Sequence, residues 1–291
     1  MMNGLLLLNK ALGLSSHRAM QQVKRLFDAK KAGHTGSLDP LATGMLPICL
    51  GEATKFAQYL LDADKSYQVE GCLGVQTSSG DAEGDIICQQ EVIPFSIEEM
   101  QQAVLSFQGP GLQIPPMYSA LKHKGQPLYR YALKGVELVR EPRPIHINLI
   151  ELISYEHPYF KIRVQSSKGT YMRTLIEDIA KKLGTCAHVT MLHRDTTSGF
   201  NTSQMVTIAQ LEQMSQDQRM QYVLPMDVMV QQFPTLNVSA EHLIRLQQGQ
   251  VVTYDGLQDK QIYRLYQDAF MGLGQYITEK GLTVKRLISV S

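Results

Sequence analysis

Hydrophobic and polar positions change period several times along this chain, and the changes mark its elements. Gly4 to Leu8 is an unbroken apolar run bounded by Asn9 and Lys10, which reads as a buried strand. Met20, Val23, Leu26 and Phe27 then recur at helical spacing behind Ser15 or Ser16, either of which can cap the helix. A loop rich in Gly, Thr, Asp and Pro runs from Gly33 to Gly44, and no helix interior accommodates it. A short strand near Leu46 to Leu50, a helix near Ala53 to Leu61 and a strand near Ser66 to Leu73 are expected next.

Ser96-Ile97-Glu98-Glu99 is a capping box that starts a helix running to about Phe107. Pro110, Pro115, Pro116 and Pro127 then interrupt regular structure, so the stretch up to Arg143 is expected to project with little core of its own. Ile145 to Ile153 and Phe160 to Ser166 have the character of strands. Lys168-Gly169-Thr170 turns the chain into a helix with Leu175, Ile176, Ile179 and Leu183 on one face. Gly184 ends it, with Lys181 and Lys182 in the last turn.

Strands and helices follow one another without a βαβ rhythm. The expected fold is therefore α+β, with a mixed, largely antiparallel sheet flanked by helices. The pattern lapses near Pro225 to Pro234, and a helix over Ala240 to Gln247 precedes several strand-length runs. This divides the chain into residues 1–229 and a small β-rich unit of residues 230–291.

Composition adds a few exclusions. With 291 residues, 44% apolar and 19% charged, the chain can bury a substantial core. The Leu5 to Leu8 run is too short for a signal sequence or a membrane span, which points to a cytoplasmic protein. Cys49, Cys72, Cys88 and Cys186 lack metal-type spacing and read as buried free thiols. A net charge of +1 does not advertise nucleic-acid binding, but its distribution is bipolar. Asp81, Glu83, Asp85, Glu91, Glu98 and Glu99 gather in one stretch, and Lys122, Lys124, Arg130, Lys134, Arg140 and Arg143 in another.

The candidate chemistry lies in the glycine-bounded loop. An Asp before Pro is ordinarily a turn residue. Around Asp39, however, His34, Thr35, Ser37 and Thr43 gather more hydrogen-bonding groups than a turn requires.

Gly33-His34-Thr35-Gly36-Ser37-Leu38-Asp39-Pro40-Leu41-Ala42-Thr43-Gly44 resembles the signature loop of the TruB family, the bacterial tRNA pseudouridine-55 synthases. Further resemblances follow in order at Lys65-Ser66-Tyr67, Thr77 to Gly84, Gln113 to Lys122 and Lys168 to Leu175. The resemblance implies a pseudouridine synthase fold followed by a PUA-like RNA-binding domain. It also implies an isomerisation in which the C1′–N1 bond of a T-loop uridine breaks and the base rejoins through C5. No group is lost and no electrons are exchanged, so no cofactor and no metal are expected.

By the same resemblance Asp39 is the catalytic carboxylate, and Arg173 is the neighbouring cation that favours its ionised form. Tyr67 contacts the uracil and is a candidate to remove the C5 proton, a role that requires help from a cation such as Arg173. His34 fills the space left by extruded nucleotides, Tyr171 lines the uracil pocket, and Asp81 either supports the site from behind or positions the RNA. Lys122, Lys124, Arg130 and Arg143 belong to the RNA-gripping segment, with Lys10, Arg18, Lys31 and Lys168 as further candidates. The implied partner is the tRNA T-stem-loop, bound by a monomer without a membrane. Readings to weigh against this are a glycosidase or ribosyltransferase using Asp39, a non-catalytic RNA-folding factor, and a related synthase acting at another RNA site. A glycosidase ordinarily pairs two carboxylates, and only Asp39 stands in this loop.

Overall fold

Leu5 to Leu8 are all 0% exposed, and the reason is that their strand is covered on both faces. In this computed structural model, which describes residues 2–289, β1 (Gly4–Lys10) joins a sheet with β2 (Ala32–His34), β3 (Thr43–Leu50), β4 (Lys65–Leu73) and β5 (Gly109–Gln113). The remaining members are β6 (Arg143–Glu156), β7 (Tyr159–Ser166), β8 (Ala187–Thr197) and β9 (Val223–Leu224). Their spatial order is β9-β1-β3-β8-β4-β7-β6-β5, with β2 also beside β3. Every pairing is antiparallel except β3 with β8, so the sheet is mixed and largely antiparallel, as the sequence predicts.

Helices α1 (Ser16–Leu26), α2 (Ile97–Leu105) and α3 (Met172–Lys182) bring apolar stripes to one core. Met20 and Val23, Met100 and Val104, and Ile176 and Ile179 pack there with Leu6, Leu8, Val69 and Ile162. Leu5 and Leu7 point the other way, into a second core with Met45, Phe56, Met229, Phe270 and Leu273. The small unit has a four-stranded sheet of β10 (Thr235–Asn237), β11 (Ile262–Gln267), β12 (Ala269–Ile277) and β13 (Gly281–Leu287). Helix α4 (Ala240–Gln247) contributes Leu243 and Leu246 to that unit's own core. Met229 and Val230, at the division expected from sequence, lie buried in the core shared between the two sheets.

Three features depart from expectation. Strand β8, in the middle of the large sheet, is not signalled by hydrophobic pattern, because His188, Thr190, His193, Arg194 and Asp195 interrupt it. Strand β5 contains Pro110, which an edge position tolerates because only one side of the strand must pair. Of the cysteines, Cys49 and Cys72 are buried, whereas Cys88 is exposed and Cys186 half-buried. Cys88 sits on an outlying strand, Ile86–Gln89, that packs none of its residues inward.

Candidate active site

The loop between β2 and β3 is held by side chains that reach it from outside. Ser15 caps α1 by accepting from Arg18 N, which leaves Ser16 free to turn inward. Ser16 Oγ accepts from Leu38 N at 2.7 Å and donates to Leu38 O at 2.9 Å, fixing both polar groups of the residue before Asp39. On the other side, Lys10 Nζ donates to Pro40 O at 3.3 Å, to Ala11 O at 2.9 Å and to Leu14 O at 2.5 Å. Lys10 is only 1% exposed, so it is an internal brace and not the phosphate contact expected of it. Burial pulls its ammonium down to about 8, against the attraction of Asp39. Gly44 closes the loop at φ +96, where an added Cβ would stand 2.3 Å from Arg194 O on the neighbouring strand. Only glycine permits that approach.

Asp39 lies on the wall of a cleft of about 750 Å³ that is also lined by His34, Tyr67, Tyr171, Arg173 and Arg194. Arg173 comes from the first turn of α3 and is 5% exposed, unlike an ordinary solvated helix arginine. Its Nε lies 3.0 Å from Asp39 Oδ2, while Nη1 donates to Ser79 O and Nη2 to Tyr118 O, both at 2.6 Å. Asp81 is 4% exposed, so it offers RNA no surface. Its Oδ2 faces Arg173 Nη1 at 3.8 Å, and its Oδ1 accepts from the Ser79 hydroxyl at 2.5 Å and from Glu83 N at 3.1 Å.

Asp39 keeps 37% of its side chain open to the cleft, but the cleft walls shield it from bulk water. Burial pushes its carboxyl above the ordinary range. Arg173 opposes that shift, Asp81 adds to it, and Lys10 opposes it more weakly. Arg173 thus favours the ionised form, as the sequence leads one to expect, but burial outweighs it.

Tyr67 reaches the cleft from β4 and is mostly buried. Tyr171 precedes α3, and Gln113 clamps its backbone by accepting from Tyr171 N at 2.7 Å and donating to Tyr171 O at 3.1 Å. Burial raises the Tyr171 phenol. His34 ends β2, and its Nδ1 is buried without a hydrogen-bond partner among the described residues. Burial lowers its imidazole, with Arg194 and His17 adding to the effect, so the ring enters the cleft neutral at neutral pH.

Lys122, Lys124, Arg130 and Arg143 are exposed on or beside the segment that includes the Lys122–His123 and Gln126–Pro127 hairpin and the short helix Leu128–Ala132. Arg140 is tied to Pro115 O and Glu137, and Lys168 to Asp62, so neither is a free cation. Sequence reasoning missed Ser16 as a loop pin and Arg194 altogether. The available signal for Arg194 was an arginine flanked by His193 and Asp195 in a stretch without loop character.

The fold is shared with a chain in the crystal structure of a Cbf5-Nop10-Gar1 complex. The TM-score is 0.73 at 23% identity, covering 98% of this chain and 84% of that one. Family membership rests on sequence. The chain belongs to the TruB family of pseudouridylate synthases: the family's N-terminal domain matches residues 24–172, the tRNA pseudouridylate synthase B C-terminal domain residues 173–231, and the pseudouridine synthase II TruB C-terminal domain residues 234–288. A protein of Methylobacillus flagellatus named tRNA pseudouridine synthase B is 49% identical, over 98% of this chain and 95% of its own length. One of the same name from Legionella pneumophila is 46% identical, over 99% and 96% respectively.

Proposed function

We propose that this protein is a tRNA pseudouridine(55) synthase, converting the T-loop uridine at position 55 of tRNA into pseudouridine. The observation that carries this reading is the Asp39–Arg173 pair in a cleft walled by Tyr67 and Tyr171, in a chain of this family. Asp39 acts in its ionised form, as nucleophile or base, and Arg173 stabilises that form against the cost of burial. Tyr67 contacts the uracil and takes the C5 proton, Tyr171 lines the base pocket, and His34 occupies the space vacated by the extruded nucleotides. Asp81 acts at one remove by orienting Arg173.

Residues 1–229 are read as the catalytic unit and residues 230–291 as an RNA-gripping unit. The exposed Lys122, Lys124, Arg130 and Arg143 neutralise phosphates of the T-stem. The reaction needs no cofactor or metal, and the enzyme works in the cytoplasm as a monomer. The test is incubation of unmodified tRNA with purified protein, followed by position-resolved pseudouridine mapping. Modification at uridine 55 is the expected result. Modification elsewhere would reassign the substrate, and none at all would leave an RNA-folding factor.

A further inference from the structure

Arg194 heads the largest side chains that the fold buries completely, at 1% exposure, and among the described ion pairs none gives it a carboxylate partner. A lone buried cation is costly, so a fold that retains one has placed it against something. Carbonyl oxygens hold part of its fork: Nε donates to Met45 O at 2.6 Å and Nη2 to Gly36 O at 3.1 Å. Nη1 takes no part in these bonds. Arg194 and Tyr67 are directly opposed across β8 and β4, and both line the cleft. Burial lowers the guanidinium below its ordinary range, and the influence of Tyr67 works the other way. Arg173, expected from sequence to help Tyr67, has Nε turned to Asp39 and both terminal nitrogens on carbonyls.

We propose that Arg194 is a positioning residue for Tyr67: it fixes the phenol oxygen toward C5 of the bound uracil and supplies the positive charge facing that oxygen when it removes the C5 proton. The proposal rests on the reading of the cleft as a uridine-isomerising site. In the step it serves, the C5–H bond of the rejoined base breaks, its electron pair becomes the C5–C6 double bond, and the C6–N1 π pair withdraws onto N1. The proton passes to the phenolate oxygen of Tyr67, which becomes a phenol. N1, no longer bonded to ribose, takes a proton from water, replacing the one released to water when Tyr67 ionised. Because Arg194 also holds Gly36 O, it ties Tyr67 to the loop that carries Asp39.

The test compares Arg194→Gln and Arg194→Lys with the parent on a T-arm hairpin carrying protium or deuterium at C5 of the target uridine. Single-turnover rates are taken at saturating enzyme, with thermal unfolding as a check on folding. Arg194→Gln should slow the reaction about 100-fold, the scale of general-base assistance, and should enlarge the C5 deuterium effect because proton removal becomes limiting. Arg194→Lys should recover part of the rate by restoring the charge, and it carries the test alone if the Gln variant does not fold. Slowing with an unchanged deuterium effect in the folded variants would make Arg194 a structural brace and overturn the proposal, as would no slowing. Asp39→Asn, measured alongside, tests the underlying reading separately: substantial activity there would remove the isomerisation site itself.

Discussion

Arg173 meets Asp39 through Nε, at 3.0 Å from Oδ2, because the carbonyls of Ser79 and Tyr118 occupy its Nη1 and Nη2. The arginine is therefore aimed by backbone from two distant segments. A lysine has the charge but not the fork. Arg173→Lys should lower kcat about 100-fold while hairpin affinity, measured by filter binding, changes little.

Asp39→Asn should abolish isomerisation while leaving tRNA binding nearly intact, since the amide keeps the shape and loses the charge. Retention of a tenth of the rate would sink the assignment. The same variant has a signature in stability. A carboxyl raised by burial is best tolerated by the fold when protonated, so its contribution is most favourable below its unfolded value and is lost as pH rises through the folded one. Asp39→Asn should therefore melt higher than the parent at neutral pH, with the gap closing as the buffer is acidified.

Activity should show the converse. In the proposed function the ionised carboxylate is the working form, so the acid limb of kcat/KM should lie above the ordinary aspartate value of about 3.9. Asp81 pushes Asp39 upward, so Asp81→Asn should move that limb to lower pH even as it reduces the maximal rate. A limb that stays in place, or moves up, would contradict the electrostatics described here.

Ser15 and Ser16 are adjacent but have separate tasks, and alanine at each should distinguish them. Ser15→Ala removes a helix cap and should cost about 1 kcal/mol with kcat little changed. Ser16→Ala strands Leu38 N and O in the loop that carries Asp39. It should cost about 2 kcal/mol and lower kcat more than it raises KM. Denaturant melts and steady-state kinetics on the two variants provide the comparison.

His34→Ala should slow reaction on a structured T-loop but converge with the parent on a hairpin whose target uridine is already poorly stacked, if its ring substitutes for extruded bases. Equal loss on both substrates would give His34 a direct role at the uridine.

The loop that carries Asp39 was legible because its glycines and polar groups are dense within a dozen residues of sequence. Strand β8 was not, because its polar residues find partners only once the chain has folded: Thr190 on Glu70 at 2.7 Å, Asp195 with Gln68 at 3.1 Å, and His193 with Thr43 at 2.8 Å. Each pairing joins residues more than a hundred positions apart, which no local pattern encodes. Arg173 is a similar case. Its place on a helix suggests solvent, and its burial comes from segments around Ser79 and Tyr118. The domain division was read from a lapse in pattern, yet Met229 and Val230 at that point are buried with Leu5, Leu7 and Phe270. Removing the chain beyond Met229 would bare that apolar face, so loss of activity in such a truncation need not mean loss of a catalytic group.

The two-faced burial of β1 also orders events during synthesis. Leu6 and Leu8 find their helical cover in α1, within the first few turns of chain to follow, whereas Leu5 and Leu7 gain Met45 and Phe56 early but await Phe270 and Leu273 to complete their core. A strand made at the start thus has one side only partly covered until roughly 260 further residues have left the ribosome, a long-range closure that is slow and exposed to misassociation. In the cell, the interval between those two events is when this enzyme is most in need of a chaperone.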